Sequence, residues 1–483
     1  MKLGSMVRGM FALAAAGLLA GCTVFEPGRA RQEQTETFTS NLTQLAEAEL
    51  TRPLSLEDCI RIAMTNNYSA RQADLNRELY RLGKNVAFTA FLPQVAASSG
   101  YTSRDYDNLM GMTSAGDVVM GAKRDSSAAL TVAMPIFMPS TWFLYAATRH
   151  GYAAAGTAAF YTRQNIVLQT TVNYCNVLVQ QDTVRALETQ MDAAKKLSER
   201  LSGLADEGFI TSWERDQADM QVLARQTELD QARRQATVLK GTLLQGLGLS
   251  PDAKIELSGD CGESQMPEGP VETLVLKALE IHPQLSIADR QVVRQEHAVR
   301  QAFCNFLPTL SINATHAWGG EDLAMEAVGW SSGFQGAWSL FTGLANVARY
   351  RAAKVERTQS ELERENTFLS IIIGVMSAEA QVHDATAAVK LRQKMYDVFS
   401  AKYADYSARA EEGLLPLSDA LDARAEMDLA QVALVRSRYQ EKIAIANLEL
   451  AMGITLVPDA NATENDAVAD GPESHSAPEK GND

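Results

Sequence analysis

Hydrophobic positions recur every three or four residues along several long segments, which is the spacing of one buried face of an α-helix. One such set is Val184, Leu187, Met191, Ala194, Leu201 and Leu204, and a second is Ala218, Val222, Leu229, Ala232, Ala236, Leu239 and Leu243. Residues 396–406 and 432–446 repeat the pattern later in the chain. Gly ends a helix at little cost, so the turns are expected near Gly208 and Gly413. The pattern predicts two long helical hairpins, over residues 141–248 and 345–453.

Alternating apolar and polar positions predict two pairs of β-strands, over residues 94–137 and 309–341. In the second pair, Leu310, Ile312, Ala314, His316 and Trp318 share one face of the first strand, and Phe334, Trp338 and Leu340 share one face of the second. Strands of about ten residues are long enough to cross a bilayer when tilted. The polar stretches 105–123 and 319–329 are predicted to be loops. A single helix over residues 56–90, ended by Pro93, is predicted before the first pair.

The order helix, strand pair, helical hairpin occurs twice. Phe91-Leu92-Pro93 returns as Phe306-Leu307-Pro308, at an offset of 215 positions from Phe91 to Phe306. Glu207-Gly208-Phe209 returns as Glu412-Gly413-Leu414, and Leu247-Gly248-Leu249 returns as Met452-Gly453-Ile454. We therefore divide the chain into repeat 1 (residues 54–250), a linker (251–270) and repeat 2 (271–457). The acidic, polar tail, residues 458–483, is predicted to be disordered.

This pattern predicts assembly of several copies. A narrow apolar seam on very long helices cannot form a globular core, so such helices must pack side by side. Four strands on their own leave open edges, which lipid does not tolerate. Association of copies would close the sheet and the layer of helices together, although the strands do not determine the number of copies.

The first residues predict export and lipid attachment. Lys2 and Arg8 form a short basic region before an apolar stretch, which ends in Leu19-Ala20-Gly21-Cys22. Residues 1–21 are typical of a secretory signal peptide. A Cys after Leu-Ala-Gly resembles a bacterial lipobox, so Cys22 is the predicted lipid attachment site and residues 22–53 a lipid-anchored segment. Thr23 favours an outer-membrane address. The alternative is an ordinary secretory peptide with an incidental Cys.

Charge and composition exclude other classes of function. The formal net charge of −15 argues against nucleic acid as a partner, because phosphates require the opposite sign. Four further cysteines, Cys59, Cys175, Cys261 and Cys304, are widely spaced, so no metal site is predicted. We interpret Cys175 as a buried apolar residue and leave a disulfide open for the others. No catalytic or phosphate-binding motif occurs, so neither an enzyme nor a cofactor is predicted.

Several motifs together resemble those of the TolC-like outer-membrane efflux protein family, over residues 54–457. They are Leu54-Ser55-Leu56-Glu57-Asp58, the two Phe-Leu-Pro triplets, and Glu412-Gly413-Leu414 followed by Asp419-Ala420-Leu421-Asp422-Ala423. The resemblance implies a mostly α fold with a small membrane β-barrel portion, in which each chain is a tandem repeat of strand pair plus long helical hairpin. It implies a homotrimer whose 12-stranded β-barrel joins a periplasmic α-helical barrel.

The resemblance also assigns roles to residues near the hairpin tips. Asp419 and Asp422, three positions apart on one helix face, would form rings of carboxylates at a periplasmic constriction. The alternative is that both are ordinary solvated side chains. The tip residues expected to contact an adaptor are Glu207, Gly208, Glu214, Glu412, Gly413 and Leu414. Glu207 and Glu412 replace the family's usual Val, and Leu415-Pro416 stand where an Arg often follows, so how the tip closes stays open.

The predicted function is the outer-membrane channel of a tripartite efflux system. It would passively conduct small molecules, drugs or metals, from an inner-membrane transporter and a periplasmic adaptor protein to the outside. The alternatives are a duct for type I protein secretion, or a non-channel periplasmic adaptor or coiled-coil lipoprotein. Trp318, Trp330 and Trp338 are interpreted either as an aromatic girdle at the lipid interface or as loop packing.

Overall fold

The computed structural model describes residues 26–33, 52–103, 108–113, 116–121, 124–259, 266–319, 329–412 and 414–454. Residues 27–33 are also helical, and the longer helices are α1 (Leu56–Asn66), α2 (Tyr68–Thr89), α3 (Pro139–Asp206), α4 (Ser212–Gly246), α5 (Val271–Ile281), α6 (Pro283–Cys304), α7 (Ala345–Glu411) and α8 (Leu417–Ala451). The strands are β1 (Gln94–Ser103), β2 (Asn108–Thr113), β3 (Gly116–Gly121), β4 (Arg124–Phe137), β5 (Thr309–Gly319) and β6 (Gly329–Ala337). The predicted fold class is confirmed: a mostly helical tandem repeat with a small antiparallel sheet.

None of the helices in these described segments is both long enough and apolar enough to cross a bilayer.

The prediction of one helix over residues 56–90 is wrong, because the chain breaks at Asn67. This residue is extended (φ −61°, ψ 130°) and separates α1 from α2. Its side-chain amide donates a 2.7 Å hydrogen bond to the carbonyl of Gly246. His282 makes the equivalent break between α5 and α6 (φ −65°, ψ 123°), and its Nδ1 accepts a hydrogen bond from the backbone N–H of Gln284. Both breaks depend on contacts with residues far away or on local capping, which apolar spacing does not reveal.

Four strands form one antiparallel sheet in the order β1-β4-β5-β6. Gln94 pairs with Ala133, Ala133 with Asn313, and Asn313 with Gly333, so one register line crosses all four strands. The β4–β5 register shifts between Pro135 and Phe137, where the missing N–H of proline interrupts the ladder. Strands β1 and β6 form the two edges of this sheet.

Two strand boundaries differ from the sequence prediction. The predicted loop 105–123 contains a second antiparallel hairpin, β2–β3, in which Thr113 pairs with Gly116. Strand β6 ends at Ala337, so Trp338 and Leu340 lie beyond it. The indole N–H of Trp338 donates a 3.0 Å hydrogen bond to the carbonyl of Phe306, which draws this residue toward the end of α6 rather than along the strand.

The chain divides into two compact units. Unit 1 comprises residues 1–67, 170–262 and 396–436, and unit 2 comprises the remainder. In unit 1 the phenol of Tyr174 is fully buried and donates a hydrogen bond to the carbonyl of Leu54. In unit 2 one hydrophobic core joins α5, α6, α7 and α8 through Leu274, Leu285, Val375, Val382, Leu448 and Met452.

Within unit 2 the helices follow the same order as the strands. Asp74 of α2 pairs with Arg163 of α3 at 2.5 Å. The rings of His150 in α3 and His297 in α6 stack with centroids 5.4 Å apart. Asp289 of α6 forms an ion pair with Arg364 of α7. The helix order α2-α3-α6-α7 therefore matches the strand order β1-β4-β5-β6, and α2 and α7 lie at its ends.

The described cysteines carry no disulfide. Cys59, Cys175 and Cys304 are free and buried, whereas Cys261 lies outside the described residues. Burial raises the pKa of the Cys59 thiol to about 12, so this side chain behaves as a small apolar group.

Candidate functional site: the tips of the helical hairpins

Both hairpin tips lie in unit 1, and the first helix of each hairpin ends in the same way. After α3, Gly208 adopts a left-handed conformation (φ 78°), and the N–H of Phe209 donates to the carbonyl of Leu204 at 2.9 Å. After α7, the N–H of Leu414 donates to the carbonyl of Arg409 at 2.8 Å. The predicted turn residue Gly413 lies outside the described residues. A Gly-terminated helix end of this kind satisfies carbonyls that would otherwise lack donors.

The return helices begin differently in the two hairpins. At the start of α4, the backbone N–H and the hydroxyl of Thr211 donate to the carboxylate of Glu214, at 2.8 and 2.7 Å. These hydrogen bonds lower the pKa of Glu214. Pro416 and Asp419 stand in the corresponding positions of the second hairpin, 205 residues after Thr211 and Glu214. Proline has no N–H to donate, so Asp419 cannot be held by the same cap.

Asp419 and Asp422 both point away from the hairpin. Their side chains are exposed, whereas the intervening Ala420 and the following Ala423 are 5% and 1% exposed. The hydroxyl of Ser418 donates to the Asp419 carboxylate at 3.2 Å. The small alanines therefore pack inward and leave two carboxylates on the outer face of α8.

One lysine lies near this acidic face. The Lys402 ammonium contacts the Glu426 carboxylate at 2.5 Å and lies 5.5 Å from the centre of the Tyr406 ring. Its hydrogen bond to Glu426 raises the pKa of Lys402, with smaller contributions from the charges of Glu426, Tyr406 and Asp422. Because Glu426 already pairs with this lysine, Asp419 and Asp422 keep the surface negative.

Besides the predicted Leu414, the tips expose two large apolar side chains that were not predicted as contact residues, Phe209 and Trp213. Phe209 is 73% exposed, Trp213 63% and Leu414 72%. Phe209 lies 205 positions before Leu414, which is the offset between the two hairpins. The internal repeat therefore identifies Phe209 as a tip residue from the sequence alone. Trp213 corresponds to Ser418, so the repeat does not identify Trp213 in this way. Glu207 and Glu412 are exposed, as expected of tip residues.

A further carboxylate in α8 is only partly exposed. The side chain of Asp428 is 13% exposed and lies 4.0 Å from the Arg424 guanidinium. Its Oδ2 has no hydrogen-bond partner within the part of the chain that the structure describes. Burial raises the pKa of Asp428 despite the opposing charge of Arg424. The apolar spacing of α8 gave no indication of this group.

The tips thus offer exposed carboxylates and apolar groups, but no cluster suited to bind a metal. Across the described segments, no group of three or more His, Cys, Asp or Glu side chains is arranged to hold an ion. Cys22, the predicted lipid attachment site, lies outside the described residues.

Comparisons with known proteins identify the fold. The chain is similar to the CmeC outer membrane channel of Campylobacter jejuni, with a TM-score of 0.73, 18% identity, and coverage of 85% of this chain and 89% of that one. It is also similar to the outer membrane protein VceC of Vibrio cholerae, with a TM-score of 0.67, 16% identity, and coverage of 83% and 97%. For the open state of the Neisseria gonorrhoeae MtrE channel the TM-score is 0.65 at 18% identity, with coverage of 83% and 89%.

The sequence comparisons agree with this result at the level of the family. No curated protein sequence matches the chain. The outer membrane efflux protein family matches residues 59–249 and 274–454, one segment in each repeat. Its members and the structural relatives are channels and not enzymes. On these grounds the chain belongs to the outer membrane efflux protein family.

Proposed function

We propose that three copies of this chain form the outer-membrane duct of a tripartite efflux system, which passively conducts small molecules such as drugs or metals. The observation that carries the proposal is the four-stranded sheet with two open edges. Its strands have 10, 14, 11 and 9 residues, which is sufficient to cross a bilayer. Each unpaired backbone group in lipid costs several kcal/mol, so β1 and β6 require partners. Three copies would supply twelve strands, a number that closes into a barrel.

The outward side chains of this sheet support a membrane location. Val95, Tyr101, Trp330 and Phe334 are between 65% and 75% exposed in the single chain. Such a concentration of large exposed apolar groups on strands is costly in water and favourable in lipid. We infer that the sheet lies in the outer membrane and that the helices extend from it into the periplasm.

The acidic tip is the proposed constriction. In a trimer the exposed Asp419 and Asp422 would each form a ring of three carboxylates. Such rings attract cations and repel anions in a narrow pore. Because Pro416 cannot cap the helix as Thr211 does, the Asp419 carboxylate is available to face the pore.

The hairpin tips are the proposed contacts with a periplasmic adaptor protein, which would connect the duct to an inner-membrane transporter. The predicted contact residues are Glu207, Gly208, Glu214, Glu412, Gly413 and Leu414, to which we add Phe209 and Trp213. Exposed aromatic side chains are frequent anchors of protein interfaces, because they bury a large area on binding. Energy for export would come from the transporter, since the duct itself performs no reaction.

The proposal includes an anchor at the first residue of the mature chain. Residues 1–21 would be removed as a signal peptide, and Cys22 would carry acyl chains that insert into outer-membrane lipid. More than one acyl chain is needed for stable anchoring in the membrane. Residues 22–53 would then link the lipid to repeat 1, while residues 458–483 would remain a disordered acidic tail.

Native mass measurement of the protein extracted from outer membranes in mild detergent tests this proposal. After subtraction of lipid and detergent, we expect a stable species of three chains. A well-folded monomer would mean that the edges of the sheet are not paired, and this result would exclude the channel function. A Cys22→Ala variant is the matched control for anchoring: it should form the same oligomer but incorporate no labelled palmitate.

A further inference from the structure

We propose that the joint between α5 and α6 is a pH-sensitive element of the fold: in mild acid, protonation of His282 removes its cap on α6 and loosens the attachment of the end of α8. The equivalent joint of repeat 1 has Asn67, whose side chain does not titrate, and stays closed. The residues of the repeat 2 joint all lie in unit 2. This property belongs to a single chain, so it goes beyond the proposed duct and does not depend on it.

His282 caps the first turn of α6 through a ring nitrogen. Pro283 has no N–H, so the N–H of Gln284 is the first donor of this helix. The Nδ1 atom of His282 accepts that hydrogen bond at 3.2 Å, and the His282 carbonyl accepts from Leu285 and Ser286 at 3.1 and 3.3 Å. A ring nitrogen that accepts a hydrogen bond carries no proton, so the cap requires the neutral imidazole.

The ring is buried where α3, α6 and the end of α8 meet. His282 is 4% exposed, and the centroid of the Tyr161 ring in α3 lies 5.8 Å from the centroid of its ring. Just after α8, a Cβ added at Gly453 would lie 2.8 Å from the Cα of His282. The imidazole is therefore almost without contact with water, which disfavours its charged form. Burial accordingly lowers the pKa of His282 below its ordinary value of 6.5.

Protonation of this ring would oppose the closed joint in two ways. A proton on Nδ1 would face the N–H of Gln284, so two donors would meet where a hydrogen bond had been. The charge would also be buried without compensation, because burial is the cause of the lowered pKa of His282 and no charged group among the described residues contributes. In an open joint the hydrated ring would titrate near 6.5. The closed joint is therefore fully stable above this pH and is weakened as the pH falls below it.

Other ionisable groups around the joint do not reproduce this dependence. Tyr161 stays neutral in this pH range, and Glu280 at the end of α5 is exposed. Glu449 in the last turn of α8 is half-buried, and burial raises its pKa. A carboxyl group with a raised folded-state pKa stabilises the fold as the pH falls, which is the opposite sign. From α7, Ile371 and Val375 contribute to the adjoining core.

Repeat 1 contains the same joint without the titratable group. Asn67 lies 215 positions before His282 and has nearly the same backbone, with φ −61° and ψ 130° against φ −65° and ψ 123°. Gly248 approaches this joint as Gly453 approaches the other. The Asn67 amide donates to the carbonyl of Gly246 and carries no charge at either pH. Comparison of the two joints separates protonation of a histidine from a general effect of acid on the fold.

The repeat 2 joint holds the end of the helix that carries Asp419 and Asp422. Helix α8 ends at Ala451, and the next residue, Met452, is fully buried in the core that also contains Leu285 of α6. Opening of the joint in acid would therefore weaken the attachment of α8 to α6. In repeat 1 the return helix α4 would keep its attachment.

Hydrogen exchange of the full chain in mild detergent, measured by mass spectrometry, tests this inference. Labelling at about pH 7.5 and about pH 5.5 brackets the ordinary pKa of histidine, with labelling times scaled for the intrinsic exchange rate. Peptides that cover residues 283–290 report on the repeat 2 joint, and peptides that cover residues 68–75 report on the repeat 1 joint. We expect scaled exchange in acid to rise several-fold in residues 283–290 and to stay unchanged in residues 68–75.

Two variants identify the group that titrates. His282→Asn places the repeat 1 residue at the repeat 2 joint and should abolish the rise in residues 283–290. Glu449→Gln removes the other buried ionisable group and should leave that rise in place. The comparison of the two joints in the parent needs no variant, so it still decides the question if His282→Asn does not fold.

Three results would overturn the inference: no rise in residues 283–290, an equal rise in both joints, or a rise that persists in His282→Asn. A rise confined to residues 283–290 of the parent and lost in His282→Asn supports it. Each of these results leaves the proposed duct unaffected, because the number of chains is measured separately by native mass.

Discussion

At the residue scale, a glycine near the end of each repeat packs against the backbone at the helix break near the start of the same repeat. Gly248 has a φ of 70°, and a Cβ added there would lie 2.5 Å from the carbonyl oxygen of Asn66. Gly453 has a φ of 72°, and its Cβ would lie 2.8 Å from the Cα of His282. Both conditions, the left-handed backbone and the close approach of a second backbone segment, exclude residues with a side chain.

Replacing Gly248 by Ala should therefore destabilise the protein. The left-handed conformation costs roughly 1–2 kcal/mol for a residue with a Cβ, and displacement of Asn66 adds to that cost. Denaturant unfolding of the detergent-solubilised protein, followed by circular dichroism, measures the loss. Gly203→Ala, in α3 of the same unit, is the matched control, because nothing lies within 4 Å of its added Cβ. This control should be neutral or stabilising by up to about 1 kcal/mol. Equal stability of Gly248→Ala and the parent would contradict the argument.

At the element scale, the first turn of α1 shows how local chemistry begins a helix. The N–H of Asp58 donates to the Ser55 hydroxyl oxygen at 3.1 Å, and the Asp58 carboxylate accepts from the backbone N–H and the hydroxyl of Ser55. This reciprocal capping box satisfies donors that the first turn leaves unpaired. The hydrogen bonds from Ser55, assisted by Arg52 and Arg61, lower the pKa of Asp58.

Removing this cap should cost stability at neutral pH but not in strong acid. A carboxyl group with a lowered folded-state pKa stabilises the fold above its ordinary value of 3.8, and that contribution is lost as the pH falls through the lowered value. We expect Asp58→Ala to lose about 1 kcal/mol at pH 7 and the difference from the parent to shrink below pH 3. Thermal unfolding at the two pH values measures this. Glu57→Ala, an exposed acid in the same turn, should change stability little; a difference for Asp58→Ala that persists in acid would argue against the capping role.

The two hairpins show that acidic side chains at equivalent positions can have different hydrogen-bond partners. Glu214 is engaged by Thr211 at the start of α4, whereas Pro416 leaves Asp419 without that partner at the start of α8. The offset of 205 positions identifies these residues as counterparts from the sequence alone. Only the hydrogen bonds of the structure distinguish a carboxylate that caps its helix from one that is available to a ligand or a pore.

At the scale of the whole molecule, the proposed function makes the charge at the tip matter more than the total charge. The chain carries a net charge of −15, so the loss of two carboxylates changes its overall field little. Rings of carboxylates in a narrow, partly desolvated pore act at short range, where Coulomb interactions are strongest. The location of Asp419 and Asp422 should therefore decide conduction.

Changing both Asp419 and Asp422 to Ala should raise the conductance of single channels in a planar bilayer and weaken block by divalent cations several-fold. Glu363→Gln/Glu365→Gln removes the same charge from α7, outside the tip, and should leave divalent block close to that of the parent. Unchanged conductance and block in the Asp variant would remove these residues from the constriction. An equal effect of the control pair would attribute the change to net charge.

The elements of this protein and their repetition can be predicted from local patterns in the sequence. Apolar positions at helical spacing and at alternate positions depend only on local geometry, so they predicted the hairpins of α3–α4 and α7–α8 and the strands β1 and β5. Motifs such as Phe91-Leu92-Pro93 and Phe306-Leu307-Pro308 indicate the internal repeat, because both repeats must make the same turn between helix and strand. Spacing also placed Asp419 and Asp422 on one helix face.

Features that depend on contacts between distant parts of the chain become visible only in the folded structure. The break at Asn67 is held by a hydrogen bond to Gly246, far along the chain, which the apolar spacing around Asn67 does not reveal. The break at His282 combines a local cap on Gln284 with the close approach of Gly453. Exposure of Leu75 and Leu362 likewise cannot be read from their type, because a leucine stripe has the same pattern whether its partner is in the same chain or in another. Periodicity reports that a helix face is to be buried, whereas the order of packed helices determines which faces remain for a second copy.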